Sequence, residues 1–97
     1  MKTITIQIGN SDDRLAQAEW AKFCKSVDAA IQQITKLCLG SVHFSGMSFG
    51  DAPWQNAAWV FNISSKGATR LKVELIEIKA RFNQDAIAWT EGDTNFI

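Results

Sequence analysis

The sequence predicts an α+β domain with the element order β-α-β-β-α-β. Three observations lead there. Lys2 to Gly9 alternates strictly, with Ile4, Ile6 and Ile8 on one face and Thr3, Thr5 and Gln7 on the other, the pattern of a half-buried strand. Two long segments, about 14–36 and 65–82, carry apolar residues at spacings of three and four, the period of an amphipathic helix. Between them, Ala58 to Ile63 alternates again, with Trp59, Phe61 and Ile63 on one side and Ala58, Val60 and Asn62 on the other.

At 97 residues the chain is one domain, 1–97, long enough for a single two-layer core. Hydrophobic residues at 46% and charged residues at 21% are ordinary globular values, so disorder is not expected. Ten Lys and Arg balance ten Asp and Glu, with no clustered basic run to neutralise phosphates. Nucleic acid is therefore an unfavoured partner. No apolar run is long enough to span a bilayer, so a membrane is not expected. The start Met1-Lys2-Thr3-Ile4 leads straight into strand without a signal peptide, and a cytoplasmic location is expected. Cys24 and Cys38 have no metal-type spacing and are expected to be two buried thiols.

In chain order, Gly9-Asn10-Ser11-Asp12-Asp13 ends the first strand and offers oxygen side chains for capping a helix. Trp20, Phe23, Cys24, Val27, Ala30, Ile31 and Ile34 form the core stripe of that helix, which must end by Leu37-Cys38-Leu39-Gly40. Ser41 to Ser45 reads as a strand with Val42 and Phe44 inward and Ser41, His43 and Ser45 outward. Gly46 to Pro53 reads as a loop from its glycines and its proline. It carries Met47, Phe49 and Trp54, aromatic and apolar groups that loop chemistry does not require.

The second helix has its core stripe at Leu71, Leu75, Ile78 and Phe82, and Arg70–Glu74 and Glu77–Arg81 are spaced as i,i+4 ion pairs. Val73, Ile76 and Ala80 fall on the opposite side. After Asn83-Gln84-Asp85, Ala86 to Trp89 is a last short strand followed by an acidic tail.

Right-handed crossovers then give a four-stranded antiparallel sheet with both helices on one face. The pattern resembles the ferredoxin-like fold over essentially the whole chain. It places strands one and three at the centre, read as a parallel pair, and strands two and four at the edges. Asn10–Asp13, Ser64–Gly67 and Gln84–Asp85 are expected at one end of the sheet, and the Met47–Trp54 loop with the tail at the other.

Few residues point to chemistry. His43 is the sole histidine, and no second histidine or carboxylate stands at a recognisable spacing. Asp12, Asp13 and Asp85 are better explained by capping and solvation than by a metal. No phosphate-cradling glycine loop, nucleophile elbow or Cys/His ligand set is present. No cofactor and no catalytic residue is therefore assigned.

The segments Ile6-Gln7-Ile8-Gly9-Asn10-Ser11-Asp12-Asp13, Pro53-Trp54-Gln55-Asn56-Ala57 and Ala88-Trp89-Thr90-Glu91-Gly92 resemble those of small proteins of bacteria and their phages. That resemblance implies an inhibitor of host defence, of the anti-CRISPR type, and supplies no catalytic residues.

The expectation is a non-enzymatic, homodimeric interaction protein with a protein partner. Phe49, Trp54 and Gln55 are its expected contacts in the loop, and Val73 and Ile76 its dimer or second contact. The competing reading is a dimeric α+β barrel enzyme or ligand-binding protein, a class that many small ferredoxin-like chains resemble, some of them cofactor-independent monooxygenases. Gln7, His43, Asn62 and Trp89 would line its pocket.

Overall fold

The computed structural model describes residues 2–10, 14–48 and 54–97. The element order is β1 (Lys2–Gly9), α1 (Gln17–Leu37), β2 (Ser41–Met47), β3 (Asn56–Ile63), α2 (Ser65–Arg81) and β4 (Ala88–Gly92). One sheet, in the order β2-β3-β1-β4, is antiparallel throughout. This is the ferredoxin-like α+β arrangement.

The central pair is antiparallel, Lys2 opposite Ile63 and Gly9 opposite Asn56, and the parallel reading of β1 and β3 is corrected. A β-α-β crossover makes β1 parallel to β2, and the reversal into β3 then sets it against both. The two ends change with it. Asn10, Ser48, Gln55 and the entry to β4 share one end, whereas Ser64–Gly67 lies with Lys2, Gly40 and the tail after Gly92 at the other.

The core forms where both helices cover one sheet face. Ile4, Ile6 and Ile8 of β1 and Ala57, Trp59, Phe61 and Ile63 of β3 are buried there. Phe23, Val27, Ile31 and Ile34 of α1 and Leu71, Leu75 and Ile78 of α2 meet them, and the Phe23 and Phe82 rings lie 5.3 Å apart. Trp20 and Trp59 are core residues, as their spacing predicts, and the Trp59 indole donates to Asp28 Oδ1 at 2.9 Å.

Helix ends explain several boundaries. The α1 N-cap is Ala16, with no side-chain cap bond. Asp12 and Asp13 lie outside the described residues. Instead, Asn10 organises the chain ahead of α1: its carboxamide donates to Leu15 O at 2.9 Å and accepts from Leu15 N at 3.0 Å. Helix α2 is capped by Ser64, whose Oγ accepts from Gly67 N at 3.1 Å.

Both helices finish on a left-handed residue, Leu39 (φ 55) and Asn83 (φ 53), followed by a closing bond from Gly40 N to Thr35 O and from Gln84 N to Lys79 O. Leucine, not Gly40, takes the left-handed position after α1. Gly40 is required for a different reason: a Cβ there would stand 2.2 Å from the carbonyl oxygen of Asn62.

The i,i+4 pairs expected on α2 do not close. The salt bridges recorded among the described residues are Lys2–Asp93, Arg14–Asp85 and Lys22–Glu19. Arg70, Glu74, Glu77 and Arg81 are all exposed, where water competes with a weak pairing.

The cysteines are free; Cys24 is buried and Cys38, the last residue capping α1, is half-buried rather than buried. Burial pushes the Cys24 thiol up to about 11, so it stays neutral across the physiological range. Iodoacetamide at pH 8 is therefore expected to modify Cys38 well before Cys24 in the folded protein, read by mass spectrometry of tryptic peptides. Equal rates in folded and urea-unfolded protein would refute the protected thiol.

Candidate functional site

The sheet face away from the helices is uncovered, and one corner of it differs from the rest. The alternation of Ser41–Ser45 predicts Phe44 inward, but a bulge lies between Val42 and Phe44: Val42 is opposite Phe61, and Phe44 is opposite Val60. One extra residue reverses the side-chain alternation. Val42 stays on the core side while Phe44 turns onto the open face, 59% exposed. The inward assignment of Phe44 is corrected.

Gly46, expected in the loop, is part of β2 beneath this ring; a Cβ there would stand 2.9 Å from Phe44 Cζ. A glycine is what lets the phenyl group lie down on the sheet.

Trp54 faces the same corner from the other side of the connection and is 54% exposed. With Phe44, Gln7, Gly46, Asn56 and Ala58 it lines a concavity of about 610 Å³. Neither a carboxylate, an imidazole, an ammonium group nor a thiol is among its described lining residues, and Ser48 provides its hydroxyl. The site is thus built for contact: two aromatic rings, small residues between them, and amide groups at the rim.

The corner is held from behind. Ser48 N donates to Asn56 O at 2.8 Å and Asn56 N donates to Ser48 Oγ at 3.0 Å, closing the chain on both sides of the connection. Asn10 N donates to Gln55 O at 2.8 Å, and the Asn10 amide donates to Gln55 Oε1 at 2.8 Å. Gln17 and Gln55 exchange a second pair of amide bonds, at 3.2 and 2.8 Å. Gln55, expected as a contact residue, is engaged in this internal network, immediately beside Trp54. The network is what fixes the backbone from which the indole projects.

The other expected positions divide. Phe49 lies outside the described residues. Val73 and Ile76 are 58% and 61% exposed on α2, away from the sheet. The four residues expected to share a pocket are not brought together. Gln7 sits opposite Ala58 at the Trp54 end, whereas Asn62 sits opposite Thr3, four residues along β3 or about 13 Å at strand rise. His43 is exposed at the bulge of an edge strand. Trp89 is opposite Ile6 and so belongs to the helix side of the sheet.

Trp89 packs under Lys72, whose ammonium is 4.7 Å from the ring centroid, and its indole nitrogen is buried without a hydrogen-bond partner. Asp85 pairs with Arg14 at 3.0 Å, and no cluster of metal ligands occurs among the described residues.

Two features of this site were hidden in the sequence. The bulge has no signature in Ser41-Val42-His43-Phe44-Ser45, which alternates cleanly. Its single signal is Gly46, a glycine two residues after an aromatic, which also suits a turn. Asn10 reads as a capping residue, and nothing local shows that it reaches Gln55.

No helix among the described residues is long and apolar enough to cross a membrane. No protein-family model matches the chain, and no curated protein matches its sequence. Among solved structures, it is similar to formyltetrahydrofolate deformylase from Burkholderia mallei ATCC 23344, at 16% identity and a TM-score of 0.50. The match covers 95% of this chain and 27% of that one. At this identity the likeness concerns the fold alone, and the chain spans about a quarter of the length of that larger protein.

Proposed function

We propose that this domain is a non-enzymatic binding module. It holds a protein partner against the Phe44–Trp54 corner of its open sheet face and is itself a homodimer. The observation that supports the first part is the bulge that turns Phe44 out beside Trp54 over a concavity of about 610 Å³. Exposed aromatics flanking a recess are the usual anchors of a protein interface, because they bury large area at small entropic cost.

The absence of charged groups among the described lining residues favours an apolar side chain of the partner seated between the rings. It disfavours a phosphate or a metal-bound ligand. The resemblance to small bacterial and phage proteins makes occlusion of a host defence protein the form that this binding would take.

The test has two stages. Wild type, Phe44→Ala and Trp54→Ala proteins are used to capture partners from a bacterial lysate, and the captured protein is then purified and titrated calorimetrically against each. Each substitution is expected to weaken binding by roughly tenfold or more, the size of an interface hot spot. Affinity unchanged in both variants removes this corner as the contact. If no protein is captured and denaturing the purified domain releases a small molecule, the ligand-binding reading takes its place.

A further inference from the structure

We propose that α2 is the seam of an isologous, antiparallel homodimer, in which Arg70 of each copy pairs with Glu77 of the other. This deepens the homodimer reading above and rests on it. It is independent of the partner corner, which lies on the other side of the sheet.

The argument begins with a helix that is apolar on two opposite sides. Leu71, Leu75 and Ile78 are buried against the sheet and α1. Thr69, Val73, Ile76 and Ala80 run along the outer side, all exposed, with Val73 58% and Ile76 61% accessible. Their spacing of four, three and four is the seam period of a two-helix coiled coil, with Val73 and Ala80 at one core position and Thr69 and Ile76 at the other.

In an antiparallel pair these two positions face each other. A single register satisfies all of them at once: Thr69 opposite Ala80 and Val73 opposite Ile76, repeated by the two-fold axis. The same register decides the flanks. Arg70 and Glu77 occupy the flanking position on one side, where like positions meet, so Arg70 lies beside Glu77 of the second copy, twice. Among the described residues neither has an ion-pair partner within its own chain.

The opposite flank brings Lys72 towards Lys79 of the second copy. Lys72 is drawn off the seam, its ammonium held over the Trp89 ring. The charges on the Arg70–Glu77 flank of α2 thus complement a second copy of themselves, and the contact over Trp89 keeps Lys72 from opposing them on the other flank.

Helix α2 has 17 residues, or about 25 Å. A seam of that length buries less than a standard interface, so the dimer is weak, with dissociation in the range of roughly tens to hundreds of micromolar.

Sedimentation equilibrium from about 10 µM to about 1 mM covers this range, with circular dichroism confirming that each variant is folded. Wild type is expected to dimerise, and Ile76→Glu, at an exposed position, to remain monomeric. Arg70→Glu and Glu77→Arg singly are expected to weaken the dimer by about fivefold to tenfold, from two like-charge contacts each, and the double reversal to restore it to within about threefold. A wild-type monomer at the highest concentration overturns the proposal. So does a dimer that survives Ile76→Glu, which would belong to another face. Failure of the double reversal to rescue the singles overturns the antiparallel register. Capture of a protein through Phe44 and Trp54 is read separately and is unaffected by any of these outcomes.

Discussion

Phe61→Ala is expected to remove about 3–5 kcal/mol from the stability of the domain, the cost of deleting a fully buried aromatic side chain. Phe61 is wholly inaccessible on β3, between Ile4 of β1 and Val42 of β2, on the face covered by both helices. Small domains have about 5–15 kcal/mol in total, so this one change takes a large fraction of it. Urea unfolding followed by tryptophan fluorescence should show the midpoint falling steeply with an unchanged slope.

Trp54→Ala supplies the contrast, because its ring is half exposed and an exposed substitution should stay within about 0.5 kcal/mol. A loss below about 1.5 kcal/mol for Phe61→Ala would mean that the core is looser than this packing implies. A loss above about 2 kcal/mol for Trp54→Ala would make Trp54 a lid on the core, not a contact group.

That contrast also marks how far the sequence could be read. Strict alternation in Thr3–Ile8 and Ala58–Ile63 sets the core face of the sheet, because successive side chains on a strand point to opposite sides. The core stripes of both helices follow in the same way from the 3.6-residue period. These signals are local, and the structure agrees with them residue by residue. Strand direction is not local: it follows from the connections, and the reversal between β2 and β3 makes β3 antiparallel to β1 and decides which loops share an end of the sheet.

The candidate site was legible only in part. Trp54 stood out because neither helix nor strand period accounts for it. Phe44 was hidden, since the bulge that exposes it comes from the pairing of β2 with β3 and not from any residue preference within β2. Gln7, His43, Asn62 and Trp89 show the reverse error. Each is polar or aromatic and lies in a strand, yet register separates Gln7 from Asn62 and places Trp89 on the other face.

Asn10 joins the stability of the fold to the geometry of the site, and Asn10→Ala is expected to affect both. Asn10 is 3% exposed. Its Oδ1 accepts from Leu15 N, while Nδ2 donates to Leu15 O and to Gln55 Oε1, so removing the amide strands buried backbone groups. The cost of such groups left unpaired is about 1–3 kcal/mol each, which puts the loss at about 2–4 kcal/mol in urea unfolding.

The second effect is local. Without the Asn10 amide, Gln55 keeps its bonds to Gln17 and to Asn10 N but loses the half-buried one from Asn10 Nδ2, and the backbone that carries Trp54 is less well fixed. Hydrogen exchange at Ser48 and Asn56 should then accelerate under conditions where the β1 and β3 amides remain protected, and partner affinity should fall with no contact residue altered. Asn10→Asp separates the two roles of the amide. A carboxylate still accepts from Leu15 N but faces the Leu15 and Gln55 oxygens with negative charge, so it should destabilise at least as much as alanine at neutral pH and recover part of the loss on acidification. If Asn10→Ala lowers global stability while exchange at Ser48 and Asn56 merely follows global unfolding, Asn10 supports the core alone. The rigidity of the Phe44–Trp54 corner would then rest on the Ser48–Asn56 bonds.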